Sequence, residues 1–96
     1  MRRLRLSRAA KNDLVEIGVY TVERWGEAQC KRYLTQLDER ISLLLRHPQF
    51  GRACDELKPG YWRITEGRHV IFYTFTDRRV DVVRVLHVQM LPERHL

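Results

Sequence analysis

Between Glu27 and Arg46, apolar side chains recur at Cys30, Tyr33, Leu34, Leu37, Ile41, Leu44 and Leu45, whereas Lys31, Arg32, Glu39 and Arg46 fall on the other side. Spacings of three and four place the first set on one stripe of an α-helix. Such a helix owes most of its stability to packing of that stripe, so the rest of the chain must supply a surface to cover it. Gly26 precedes the helix, and the Glu27 carboxylate suits the positive end of its dipole. Pro48 disfavours helical geometry at His47, which predicts a stop at Arg46 or His47, with His47 favourably placed at the helix C-terminus.

The preceding residues predict a second helix. Ser7 stands where an N-cap belongs, although Ala10 replaces the Glu of a capping box. From there to about Trp25, the residues Leu14, Ile17, Gly18, Thr21, Val22 and Trp25 share one side and are expected to face inward, opposite Glu16 and Glu23. Two amphipathic helices joined at Gly26 predict an antiparallel hairpin. Ahead of it, Leu4 and Leu6 alternate with Arg3 and Arg5, the pattern of a short strand.

Beyond the helices, residues 48–60 form a connection punctuated by Pro and Gly. Three strand-like runs follow, Tyr61–Glu66, Arg68–Thr76 and Val80–Val88, separated by Gly67 and by Asp77-Arg78-Arg79. They predict a three-stranded antiparallel meander. Val70–Tyr73 and Val82–Leu86 are apolar on both faces, and a helical hairpin covers one face only. The second cover is expected from the C-terminal segment Gln89–Leu96, a second copy or a partner peptide. The expected fold class is α+β: an N-terminal strand, an antiparallel helical hairpin and the meander, forming a two-layer sandwich. At 96 residues this is a single domain, 1–96.

The formal charge of +6 arises from 18 basic and 12 acidic residues, and 15 of the basic ones are Arg, which favours acidic partners. Planar, bidentate pairing with carboxylate or phosphate fits this bias better than a diffuse polybasic arm. Cys30 and Cys54 are too few for a disulfide framework. No signal peptide or membrane span is visible, so a cytoplasmic protein is expected. The histidines His47, His69, His87 and His95 lack metal-ligand spacing, and no metal or other cofactor is expected. Asp55 and Glu56 are adjacent rather than opposed, Ser7 and Ser42 lack a nucleophile context, and Cys30 lies in a core stripe. One cluster has chemical promise: Arg63, Arg68 and Arg84 with His87 and His95 would hold an RNA phosphate while a His moves protons. The competing reading pairs these arginines with Asp55, Glu66, Asp81 or Glu93.

Several segments, in order, resemble the ParE branch of the ParE/RelE toxin superfamily. They are Arg24-Trp25-Gly26-Glu27-Ala28, His47-Pro48, Gly51-Arg52, Asp55-Glu56-Leu57, Pro59-Gly60, Gly67–Tyr73, and Val83–His87 followed by Met90 and Glu93–Leu96. The resemblance implies a plasmid-stabilisation-type toxin of a type II toxin–antitoxin system. Toxins of the ParE branch poison DNA gyrase, and those of the RelE branch cleave mRNA on the ribosome. The RelE pattern commonly has a Tyr near the C-terminus, where this chain reads Pro92-Glu93-Arg94-His95-Leu96, so the gyrase alternative is preferred and ribosome-dependent endoribonuclease is second. The resemblance also implies an antitoxin with a DNA-binding N-terminal part, through which any operator contact would run, and an acidic C-terminal segment. Expected antitoxin contacts are Arg63, Tyr73 and Arg84, and expected target contacts are Arg84, His87, Arg94 and His95.

Overall fold

A computed structural model describes residues 1–96. Strand β1 (Arg3–Leu6) leads into helices α1 (Arg8–Trp25) and α2 (Glu27–Arg46). A short 3-10 turn at Pro48–Phe50 precedes β2 (Arg52–Ala53), β3 (Trp62–Glu66), β4 (His69–Phe75) and β5 (Arg79–His87), and a second such turn spans Pro92–Arg94. The five strands form one sheet in the order β1-β5-β4-β3-β2. The expected α+β architecture is present, with two additions. β1 pairs in parallel with β5, and the two-residue β2 extends the far edge, so the sheet is mixed. Parallel pairing needs a crossover connection, and here the helical hairpin is part of it.

Local chemistry explains the helix boundaries. The Ser7 Oγ accepts the Ala10 N–H at 2.9 Å and donates to the Val83 carbonyl at 2.6 Å, so the N-cap also ties α1 to β5. Of the α2 stripe, Cys30, Leu37, Ile41 and Leu44 are buried and Tyr33, Leu34 and Leu45 half-buried, with Leu37 and Leu44 almost inaccessible. Leu37 and Leu44, with Ile41 and Ile17, pack on Ile71, Tyr73, Val80, Val82 and Val85 of the sheet. Burial of each large aliphatic side chain contributes roughly 1.5–3 kcal/mol.

The inward face of α1 differs from expectation. Ala10, Asp13, Ile17 and Thr21 are buried, whereas Val22 is 41% and Trp25 62% exposed. The helix rests on β5 along the line from Ala10 to Thr21, which turns Val22 and Trp25 away from the sheet.

A β-bulge decides which residues share a face. Phe72 opposes Arg84 but Tyr73 opposes Val82, leaving Val83 as the extra residue of β5. Val80, Val82 and Val85 therefore all join the core under the helices. On the other, helix-free face, Phe72 and Leu86 pack with Cys54 and are covered by Leu57, Tyr61 and Leu96. The chain thus supplies much of its own second cover. The C-terminal residue contributes as expected, and the connection around Cys54–Tyr61 does so unexpectedly.

Candidate functional site

The bulge and strand alternation divide the predicted basic cluster between the two faces of the sheet. Arg52, Arg63, Phe72 and Arg84 form one cross-strand row on the helix-free side. Glu66, His69 and His87 form another row, on the same side as the core residues Ile71 and Val85. Arg68 lies in the turn between β3 and β4. The five residues expected to converge on a phosphate therefore do not share one surface.

Arg84 is held by a residue that sequence reasoning passed over. Its Nε and Nη2 donate to the two carboxylate oxygens of Asp13 at 2.8 and 2.9 Å, and the Val85 N–H donates to the same carboxylate at 2.9 Å. Asp13 is buried on α1, where it serves a stretch of β5 beyond the end of β1. A carboxylate within the apolar line Ala10, Asp13, Ile17 was the available sequence signal. The remaining Arg84 nitrogen, Nη1, donates to the His95 carbonyl at 3.1 Å. Arg84 thereby joins α1, β5 and the C-terminal turn, and hydrogen bonding to Asp13 raises its pKa further. The alternative acids are engaged elsewhere: Glu66 with Arg40 and Asp81 with Arg79, each at 2.9 Å, and Asp55 with the Gly60 N–H at 2.8 Å.

On the helix side, Tyr33 of α2 approaches His69 with its hydroxyl 2.5 Å from Nδ1, and the His69 and His87 rings stack edge-on with centroids 5.4 Å apart. Burial, reinforced by neighbouring His87, lowers the His69 pKa to about 4, so its imidazole is neutral at pH 7. Burial also raises the Tyr33 pKa. The Arg68 N–H donates to the same hydroxyl at 3.2 Å. Gly67 makes this approach sterically feasible: its φ of 58° is left-handed, and an added Cβ would lie 2.7 Å from the Tyr33 ring. His87 opens onto a groove of about 960 Å³ that also presents Tyr20, Trp25, Arg32 and Arg68.

Tyr73 requires a correction. It has no exposed surface, so it cannot touch a partner directly. Its hydroxyl donates to the Pro48 carbonyl and accepts the Gly51 N–H at 3.2 Å, pinning the connection after α2 to the sheet, and burial raises its pKa to about 12. Arg94 and His95 are exposed in the C-terminal turn. No group of His, Cys, Asp and Glu side chains is arranged to hold a metal ion, and no helix is long and apolar enough to cross a membrane.

A second groove, of about 710 Å³, runs beside α1 and is lined largely by apolar residues, including Leu6, Leu14, Val19, Val22 and Leu34. Its rim is open, with Val15 65% and Val19 54% exposed. An apolar patch of this kind marks an interaction surface more often than bare solvent contact.

Comparison with known proteins agrees with this architecture. A family model described as the ParE toxin of the type II toxin–antitoxin system parDE matches residues 4–92. Toxin ParE1 of Mycobacterium tuberculosis is 45% identical over 92 residues, covering 95% of this chain and 94% of the relative. Toxin ParE1 of Caulobacter vibrioides is 41% identical over 96 residues, covering 100% and 99%. Among solved structures, a chain of the chromosomal ParDE system from P. aeruginosa superposes with a TM-score of 0.78 at 18% identity, covering 91% of this chain and 96% of that one. A chain of the RelBE2 toxin–antitoxin complex from M. tuberculosis superposes at 0.69 and 21% identity, covering 90% and 96%. The strand, helical hairpin and meander, together with these matches across nearly the whole length, establish that the chain belongs to the ParE toxin family of type II toxin–antitoxin systems.

Proposed function

We propose that this toxin acts by binding DNA gyrase and stalling replication, and that a cognate antitoxin segment neutralises it. The observation that carries the target assignment is the division of the candidate phosphodiester-cleaving residues. Arg63 and Arg84 lie on one face, His87 on the other and Arg68 in the turn between β3 and β4; Arg84 is committed to Asp13 and meets His95 through its backbone carbonyl, not its imidazole. General acid–base cleavage requires these groups around one phosphate, within hydrogen-bond reach of the reacting atoms. Binding to a protein target makes no such demand. The exposed C-terminal turn bearing Arg94 and His95, with His87 near the end of β5, forms the target-facing region, and Arg84 positions that turn through the His95 carbonyl.

For the antitoxin, the groove beside α1 offers apolar anchorage to an amphipathic helix. Carboxylates elsewhere in the same segment would meet Arg52 and Arg63 on the helix-free face. The test is supercoiling of relaxed plasmid by purified gyrase with increasing toxin. Inhibition accompanied by trapped cleaved DNA is expected. Full supercoiling at toxin excess, together with codon-positioned cuts in translated mRNA, would replace this reading with the endoribonuclease one.

A further inference from the structure

The arginines at the β1 edge are left unused by the target and antitoxin surfaces. Arg3 and Arg5 alternate with Leu4 and Leu6, and their in-register partners across β5 are Arg79 and Asp81. Leu4 and Leu6 oppose the core residues Val80 and Val82, so Arg3, Arg5 and Arg79 lie on the helix-free face. Arg78 adjoins them, its carbonyl accepting the Arg3 N–H at 2.8 Å. Arg79 pairs with Asp81, whereas Arg3, Arg5 and Arg78 are exposed and pair with no carboxylate. Three arginines without a carboxylate partner therefore adjoin at one edge of the sheet, the Cα atoms of Arg3 and Arg5 about 6.6 Å apart along an extended strand.

We propose that this edge is a docking surface for the phosphate backbone of duplex DNA, contacted by the toxin itself. Charge complementarity supplies the attraction, and the surroundings decide between anionic partners. An acidic peptide that orders on binding needs apolar anchors, and those are concentrated in the groove on the helix side. A single-stranded nucleic acid needs free aromatic rings for stacking. The nearest ring here, Phe75, opposes Val80 on the helix side and is covered by the Arg2 guanidinium at 5.9 Å. What remains on the helix-free side of this edge, with exposed Leu4 turned to the groove on the opposite side, is a basic surface without aromatic rings, the composition of a duplex-backbone contact. The proposal is independent of whether gyrase is the target.

The experiment is fluorescence anisotropy of the full-length toxin with a short random-sequence DNA duplex across a salt series. Three phosphate contacts predict a slope of log affinity against log salt of about −2.7, falling to about −0.9 in the Arg3→Gln/Arg5→Gln variant. Arg3→Lys/Arg5→Lys should retain the full slope, and Lys31→Gln/Arg46→Gln, which removes the same charge from exposed positions of α2, should leave it unchanged. Circular dichroism establishes that each variant is folded. An equal loss in the α2 variant would overturn the proposal in favour of diffuse net-charge attraction. Tighter binding of single-stranded RNA or of an acidic peptide than of the duplex would also overturn it. So would unchanged DNA binding with new self-association in the Gln variant, because the arginines would then only guard an open sheet edge.

Discussion

Replacing Asp13 by Ala removes the acceptor for three donors at once, two from Arg84 and one from the Val85 backbone. The magnitude follows from what each donor does next. The Val85 N–H is buried and loses its partner, a loss that costs about 1–3 kcal/mol. The Arg84 side chain is 22% exposed and Asp13 10%, so the guanidinium can recover part of its hydration. Its contribution therefore falls below the ~3–5 kcal/mol of a fully buried broken pair. A total of about 2–4 kcal/mol is expected for Asp13→Ala. Asp13→Asn retains a carbonyl acceptor for Val85 and should lose about half as much. Urea unfolding of both single variants, Arg84→Ala and the double variant closes a cycle, with an expected coupling of about 1.5–3 kcal/mol. A coupling below ~0.5 kcal/mol would refute the claim that this pair fastens α1 to β5.

Four further outcomes follow from the same geometry. Gly51→Ala should destabilise by about 1–3 kcal/mol in urea melts, because its Cβ would press on the Tyr73 hydroxyl and lie 2.5 Å from the rigid Arg63 carbonyl. Tyr73→Phe orphans both the Pro48 carbonyl and the Gly51 N–H and should cost about 2–4 kcal/mol by the same measurement. His69 has a folded pKa of about 4, below its ordinary 6.5, so below that value the unfolded chain binds the extra proton. Its contribution to stability is complete above pH 6.5 and is lost as pH falls toward 4; with partial exposure discounted, the slope is about 1 kcal/mol per pH unit. Subtracting the melts of His69→Gln from those of the native chain isolates this slope, and a flat difference would contradict it. Val15→Glu/Val19→Glu should leave growth arrest intact yet abolish rescue by co-expressed antitoxin; rescue equal to that of the unaltered toxin would place the docking surface elsewhere.

Much of this fold is written in local patterns. The α2 stripe, the stop imposed by Pro48, the Ser7 cap and the three meander strands each depend on neighbours a few residues away, and their boundaries agree with expectation to within two residues. What local pattern does not contain is pairing across long separations. Leu4 and Leu6 announce a strand, but the parallel alignment of β1 with β5 depends on how the helices return the chain to the sheet. The bulge at Val83 leaves no mark in a run of five apolar or basic residues, yet it sets which side Arg84 occupies. Arg84 and His87 are three residues apart in one strand and so could not share a face, a constraint available from the sequence. Asp13 was hidden by its type, since one of three carboxylates on α1 reads as surface until its partners on β5 are known.

The central claim is toxicity through replication rather than through translation. Pulse-labelling after induction of the chain without antitoxin, with thymidine and methionine incorporation measured in parallel, separates the two. DNA synthesis should fall first while protein synthesis continues. An initial fall in protein synthesis, with mRNA cut at codon-defined positions, would contradict the account.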